Sequence, residues 1–301
     1  MGSAAVKPAA SRSLLDKLLP VGTDPVAAAL VFGGLALLYV PTIWGLAAVL
    51  WPQDEQGHGP IVFGVGLWLL YRMRDRLAAL PVPGSTWSGR LIFGFALLMY
   101  AVGRSQAIWL FEVGSMIAMI AGLLQMYRGW AAVRMAWFPL FFLLFMVPLP
   151  EALVAKITGP LKAAVSAVAA TVLYHVGYPV GRAGVMLTVG QYQLFVADAC
   201  AGLNTMFTLE ALGLLYLNLM QIRSPLRYGL LAVLLIPIAF SANVVRVMTL
   251  VLITYYFGDE AAQGFIHGFA GMLLFGVALA LMLVVDALIV LAMRRFGGRP
   301  S

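Results

Sequence analysis

Residues 228–250 read "YGLLAVLLIPIAFSANVVRVMTL", and this stretch decides the class of fold. Arg246 is its only charged residue, and as an α-helix it is long enough to cross the roughly 30 Å of hydrocarbon in a bilayer. The whole chain has the same character, since 62% of its 301 residues are hydrophobic and 10% are charged. Soluble domains have about 25% charged residues. We therefore predict an integral membrane protein.

Similar apolar runs on both sides predict an all-α polytopic membrane protein with about eight transmembrane helices. The predicted spans are 26–50, 59–73, 90–105, 107–127, 130–148, 200–222, 228–250 and 264–293. Most Lys and Arg residues fall in alternate loops, and cytoplasmic loops carry such an excess. Both termini are then cytoplasmic. The predicted parts are a cytoplasmic segment 1–25, one transmembrane domain 26–293 and a basic tail 294–301.

Residues 149–199 should begin and end on the outer side, because the spans before and after them both reach that side. Lys156, Pro160 and Lys162 interrupt their apolar first half, so we predict an interfacial or re-entrant amphipathic helix on the outer face. Two alternating runs, 185–189 and 192–196, flank Gly190-Gln191. Gly at the first of two turn positions favours a short β-hairpin with a type II′ turn.

Three reactive side chains fall at one predicted membrane depth. Cys200, the only cysteine, begins the sixth span; Arg246 is near the outer end of the seventh; His267 is in the first turn of the eighth. Each has a simpler interpretation on its own: a buried thiol, a snorkelling arginine and an interfacial histidine. Together they supply a nucleophile, a cation for an oxyanion and an acid or base, as cysteine acyl transfer requires. Asn243 and Asp198 are candidate supporting residues.

The remaining polar residues indicate no second site. Glu112, Glu210 and Asp286 lie within predicted spans, where we favour interhelical hydrogen bonds. The loop 52–60, "PQDEQGHGP", is interpreted as a polar loop rather than a metal site. No zinc-protease, serine-hydrolase or phosphate-loop motif occurs, so we expect no metal and no cofactor. Nucleic acid is not an expected partner, because basic residues do not cluster beside aromatic ones on a soluble face.

Several motifs resemble those of the exosortases and their archaeal relatives, the archaeosortases, over roughly residues 40–295. They are "DEQGHGPIVFG" (54–64), "YRMRDRL" (71–77), "VPLPEAL" (147–153), "GYPVGRAGVMLTV" (177–189), "VADACAGLNT" (196–205), "ANVVRV" (242–247) and "GFIHGFAGMLLF" (264–275). The family's cysteine motif is usually Cys-Ser-Gly. Here it reads Cys200-Ala201-Gly202, which leaves the nucleophile unchanged. The pattern is most similar to the bacterial branch found beside exopolysaccharide genes, exosortase B.

This resemblance implies a cysteine protease or transpeptidase of the bacterial inner membrane, with its active site at the outer, periplasmic face. By resemblance, Cys200 is the nucleophile, Arg246 the essential cation and His267 the general acid or base. The implied partners, besides the lipid bilayer, are membrane-anchored proteins with a C-terminal sorting signal. That signal comprises a Pro-Glu-Pro motif, a transmembrane helix and a basic tail. The implied role is protein sorting linked to exopolysaccharide.

Two other classes of function remain open at this point. A transporter is consistent with several spans and intramembrane acids, although the informative polar residues lie at one face rather than along a path through the membrane. A non-catalytic scaffold of a polysaccharide export complex is the second. It predicts that replacing Cys200 is harmless.

Overall fold

The helices of the protein account for most of the chain. The computed structural model describes residues 25–53, 56–82, 85–195, 203–220, 224–268 and 270–295. In that part, four helical stretches are long and apolar enough to cross a membrane: Ala29–Leu50, Trp109–Met135, Leu226–Phe257 and Gly276–Arg295. Shorter apolar helices occupy Gly59–Arg72, Trp137–Met146 and Leu209–Leu219. A mostly helical, multi-pass membrane protein follows, and the number of eight spans stays a prediction.

The described residues form two compact units, the first comprising 25–50 and 59–148 and the second 51–58 and 149–295. The domain limits 26–293 and the two terminal segments stay predictions. The helices of the first unit are α1 (Pro25–Gly45), followed by a π-helical turn (Leu46–Leu50), α2 (Gly59–Arg72), α3 (Arg74–Ala78), α4 (Trp87–Ser105), α5 (Trp109–Met135) and α6 (Trp137–Leu143). Helices α4 and α5 form a close antiparallel pair. A Cβ on Gly122 would lie 3.0 Å from the backbone nitrogen of Phe93, which explains the glycine there.

The predicted fifth span, 130–148, is not one continuous helix. Gly129 has non-helical dihedral angles (φ 70°, ψ −173°) and kinks α5 at the predicted boundary. A second break follows at Ala136, and α6 is then continued by a short 3₁₀ turn, Leu144–Met146. Pro139 explains the restart, because proline is tolerated in the first turn of a helix and not in its interior.

The elements of the second unit begin with a long helix and a small sheet. They are α7 (Glu151–His175), β1 (Val180–Ala183), β2 (Met186–Val189), β3 (Tyr192–Phe195), α8 (Leu203–Leu219), α9 (Pro225–Phe257), α10 (Asp259–Gly268) and α11 (Ala270–Arg295). Strand β2 pairs antiparallel with both β1 and β3. The amphipathic helix is confirmed as a helix. The hairpin of β2 and β3 is confirmed within one residue at each end.

Strand β1 is not predicted from the sequence, because "VGRA" is too short to show alternation. Both connections in the sheet have two residues, and each starts with a glycine of positive φ: 64° at Gly184 and 57° at Gly190. The second loop residues, Val185 and Gln191, do not share the positive φ. This combination is the one that type II′ turns require, as predicted for Gly190.

Two predicted spans of this unit need correction. Helix α9 extends from Pro225 to Phe257 rather than from 228 to 250, since apolar residues continue to the chain reversal at Gly258 (φ 85°). Ser224 caps its start by accepting a hydrogen bond from the Arg227 backbone N–H (3.4 Å). The predicted eighth span, 264–293, is divided between α10 and α11. Asp259 and Glu260 begin α10, where acidic side chains favour helix formation.

Two of the three acids predicted to make interhelical hydrogen bonds do so. Glu112 of α5 is buried and accepts from Thr42 Oγ1 of α1 (2.6 Å) and from Arg104 of α4 (3.1 Å). Asp286 of α11 accepts two hydrogen bonds from Arg227 of α9. Both findings confirm the interpretation given to these residues. Glu210 is half-buried on α8, and its role stays a prediction.

Candidate functional site

Helix α9 is the central element of the second unit and carries two of the predicted site residues. It packs against α7, β2, β3, α8, α10 and α11. Asn243 is fully buried, Arg246 is 7% exposed, and each has an interaction partner. A charged group at this depth is costly unless it is paired. The burial of Arg246 therefore favours a specific role over snorkelling.

Two apolar clusters contact α9 on different sides. The sheet cluster contains Val165, Ala169, Ala170, Leu173, Leu187, Val189, Leu194, Val244, Val247 and Val251. The bundle cluster contains Leu209, Leu217, Leu231, Leu235, Ile238, Ala239, Ala242, Leu274, Ala278 and Met282. Ala242 belongs to the bundle cluster and Val244 to the sheet cluster. Because successive helical residues are about 100° apart, Asn243 faces the seam between the clusters, and Arg246 lies one turn further on the same side.

The start of α8 lies at the level of Arg246. Helices α8 and α9 pack together and are joined by residues 220–224, so they run antiparallel. Gly213 of α8 faces Leu235 of α9, and a Cβ on this glycine would overlap the leucine side chain. Ten residues back from Gly213 is Leu203, the first residue of α8, and ten residues beyond Leu235 is Val245. Leu203 is therefore level with Val245, next to Arg246.

The start of α11 lies at the same level of α9, and α11 packs in the same bundle cluster as α8. The Arg227 guanidinium donates from Nε (2.8 Å) and Nη2 (2.6 Å) to the two oxygens of Asp286, which fixes the offset between the antiparallel helices. Ala270 is sixteen residues before Asp286, and Asn243 is sixteen residues after Arg227. The first residue of α11 is therefore level with Asn243. From the Lys and Arg distribution, Arg227 is expected to be a cytoplasmic charge without a partner in the membrane. The sequence signal for the pair is a carboxylate, Asp286, at the far end of the next long apolar run.

Helix α10 brings the backbone of His267 to this level as well. The turn at Gly258 reverses the chain, and Ala262 of α10 joins Leu250 of α9 in a small buried cluster. His267 is five residues beyond Ala262, and Val245 is five residues before Leu250. The backbone of His267 is therefore level with Val245. His267 was predicted in the first turn of a span; it lies instead at the C-terminal end of α10. Gly258, which ends α9 and starts a separate helix, is the reason for this difference.

The remaining predicted site residues are placed as follows. Cys200 and Asp198 lie outside the described residues, and so does the predicted start of the sixth span. For His267 the structure describes the backbone and not the side chain. Cys200 precedes the first residue of α8 by three positions, whereas Arg246 and Asn243 are fully described. The roles assigned to these five residues stay predictions.

Comparison with known protein families identifies the chain. The model of the transmembrane exosortase family matches residues 44–284, about four fifths of the sequence. The chain belongs to the transmembrane exosortase family. Comparisons with curated proteins and with solved structures find no match. The family expected from the sequence motifs is thus confirmed, and the exosortase B subtype stays a prediction.

In this exosortase, the matched region includes α8, α9, α10 and the start of α11, which meet at the level of Arg246. A buried guanidinium, the N-terminal end of a helix and the segment carrying His267 are placed there by the contacts of α9. A helix N-terminus offers unpaired N–H groups and positive potential, as a guanidinium offers a fork of donors. Such a place can stabilise negative charge that develops on an oxygen. In the part of the chain that the structure describes, which omits Asp54 and Glu55, no group of His, Cys, Asp and Glu residues has the arrangement of a metal site.

Proposed function

We propose that this exosortase is a membrane-embedded cysteine protease or transpeptidase that cleaves the C-terminal sorting signal of exported proteins. The observation that carries the proposal is the common level of Leu203, Arg246 and His267 on the elements around α9. Three contacts that are distant from one another along the chain lead to this one level. Neither a transporter nor a scaffold gives a reason for the start of α8, a buried cation and the backbone of His267 to lie at one level.

The proposed reaction has two steps. In the first, the Cys200 thiolate attacks the scissile carbonyl carbon, a C–S bond forms, and Arg246 stabilises the oxyanion. The C–N bond then breaks while His267 donates a proton to the leaving amine, which leaves a thioester on Cys200. In the second step, water or an amine-bearing acceptor gives a proton to His267 and attacks the thioester, the C–S bond breaks, and the Cys200 thiolate and protonated His267 are restored. Asn243 and Asp198 are proposed to position Arg246 and Cys200.

The proposed location is the bacterial inner membrane, with eight spans, cytoplasmic termini and the active site at the periplasmic face. The distribution of Lys and Arg supports this orientation. At 1.5 Å per residue, Arg246 lies about 32 Å along α9 from Pro225, close to the thickness of the hydrocarbon. The rest of α9 then projects beyond the membrane and supports the sheet. The proposed substrates are membrane-anchored proteins with a Pro-Glu-Pro motif, a transmembrane helix and a basic tail.

Co-expression of such a substrate with the exosortase tests the function. The wild-type protein should convert the substrate to a shorter product, and Cys200→Ala should leave it at full length. Ala201→Ser is the matched control, because it supplies the middle residue usual in the family motif and should keep turnover near the wild-type level. Equal conversion by wild type and Cys200→Ala at matched expression would exclude the cysteine mechanism. That result is the one a scaffold predicts.

A further inference from the structure

The outer edge of strand β3 is the remaining feature that an extended ligand could use. The strand order is β1-β2-β3, so β3 has a neighbour on one side only within the described part of the chain. Its residues pair with β2 in the register Tyr192 with Val189 and Leu194 with Leu187. A strand edge exposes backbone N–H and C=O groups that can pair with another chain.

The register identifies which groups point outward. In a two-residue β-turn, the residue after the loop donates its N–H to the residue before it, so Tyr192 is bonded to Val189. Bonded and non-bonded pairs alternate in an antiparallel ladder. Leu194 is therefore bonded to β2 as well, whereas the N–H and C=O groups of Gln193 and Phe195 point away from it. The Gln193 side chain is exposed, and Leu194 is buried in the sheet cluster.

The position of β3 connects this edge with the proposed site. Its inner face packs on α9 in the cluster that contains Val244 and Val247, the residues around Arg246. Its first residue, Tyr192, reaches the turn that reverses the chain into α10, since a Cβ on Gly258 would lie 3.5 Å from the tyrosine hydroxyl. Phe195 precedes Cys200 by five residues, which span at most about 18 Å. The edge thus lies within a few residues' reach of the thiol.

We propose that the outer edge of β3 binds an extended segment of the polypeptide substrate, next to the scissile bond, as an added strand. The inference rests on the proposed function and specifies how the same site holds its substrate. Main-chain hydrogen bonds to Gln193 and Phe195 align the segment, and its direction is then fixed relative to Cys200. An extended peptide is the occupant that fits, because alternate outward N–H and C=O groups match a strand and neither a helix nor a lipid tail.

The other edge of the sheet provides an internal comparison. Strand β1 packs against α7, and α9 contacts β2 and β3 instead. By the same alternation, Arg182 points its N–H away from β2, and its side chain is exposed like that of Gln193. A substrate strand on β1 would lie two strands further from the chain segment that leads to Cys200. The two edges are therefore similar in geometry and different in distance from the site.

Gln193→Pro tests the proposal, because it removes an outward N–H and leaves every hydrogen bond to β2 in place. Proline is tolerated on edge strands for this reason. Gln193→Ala is the matched control that keeps the N–H and loses the side chain. We expect processing of a limiting substrate to fall about 2- to 10-fold in Gln193→Pro, the usual effect of one lost hydrogen bond, and to stay at the wild-type rate in Gln193→Ala.

A second measurement does not depend on turnover or on tolerance of proline. In the Cys200→Ala protein, a photo-crosslinking amino acid replaces Gln193 or, as a control, Arg182. Substrate should be captured from position 193 and not from 182. Equal processing by Gln193→Pro and Gln193→Ala, or capture from 182 as strong as from 193, would overturn the proposal. Failure of the wild-type protein to process any substrate would instead overturn the proposed function.

Discussion

Arg246 is a single charge in a long apolar run. This sequence context is consistent with snorkelling as well as with function. The structure places it 7% exposed on the face of α9 that also carries Asn243, between two apolar clusters. A lysine at this place would keep the charge and lose the planar fork of donors. The shape of the guanidinium is therefore the property to test.

Arg246→Lys should reduce substrate processing by roughly 10²- to 10³-fold, the usual cost of losing one oxyanion donor. The measurement is the ratio of processed to full-length substrate over time, at matched protein levels. Arg182→Lys, an exposed arginine in the same unit, is the control and should process normally. Near-wild-type turnover by Arg246→Lys would remove the oxyanion role from this residue.

The sequence predicted individual elements well where local signals determine them. Apolar runs predicted the helices, the glycine at Gly190 predicted the hairpin turn, and Gly129 divides α5 where two predicted spans meet. The overrun of α9 and the division between α10 and α11 were missed. The first depends on Gly258, since a glycine at the end of an apolar run does not by itself indicate a chain reversal, and the separate helix α10 begins directly after it at Asp259.

The offsets between helices could not be predicted from the sequence. They are determined by contacts between residues far apart in the chain, such as Gly213 with Leu235 and Arg227 with Asp286. The sequence placed Cys200, Arg246 and His267 at one membrane depth by counting spans. The structure gives a common level for the segments around them by a different route, through packing against α9.

The Arg227–Asp286 pair should stabilise this arrangement. Both side chains are largely buried (18% and 13% exposed), and their two hydrogen bonds are charge-assisted. Asp286→Asn keeps the shape and removes the negative charge, so it should lower the free energy of unfolding by roughly 1.5–3 kcal/mol. Thermal unfolding in detergent measures the change, with Arg295→Gln at the exposed end of the same helix as control. An unchanged melting temperature in Asp286→Asn would show that packing alone determines the offset.

At the scale of the whole molecule, the central question is on which side of the membrane the site lies. Length and composition identify four helical stretches able to cross a membrane in the described part of the chain, and the basic residues suggest an orientation for a larger set. Shorter apolar helices such as α2 and α8 are needed to reach eight spans. Such short helices can cross where the bilayer is locally thin or where they associate with other helices.

A reporter that is active only outside the cytoplasm tests this topology. Fused after Lys162, on α7, it should be active, and fused after Met293, near the end of α11, it should be inactive. Five predicted spans precede Lys162 and place it outside. Eight predicted spans precede the fusion after Met293 and return the chain to the cytoplasm. Activity after Met293, or none after Lys162, would contradict the proposed orientation and place the site on the other side.

Crosslinking of the native thiol tests the central claim most directly, the convergence of the Cys200, Arg246 and His267 segments. Cys200 is the only cysteine, so one introduced cysteine gives one possible intramolecular pair. A short bifunctional thiol reagent should join Cys200 to a cysteine in His267→Cys, because the backbone of His267 and Leu203, three residues after Cys200, both lie at the level of Val245. It should not do so in Leu283→Cys, which lies on α11 thirteen residues beyond Ala270, about 20 Å along that helix. Mass spectrometry of the digested protein identifies the linked peptides. A linked pair in His267→Cys alone is the predicted result, and its absence, or equal linkage in Leu283→Cys, would contradict the account.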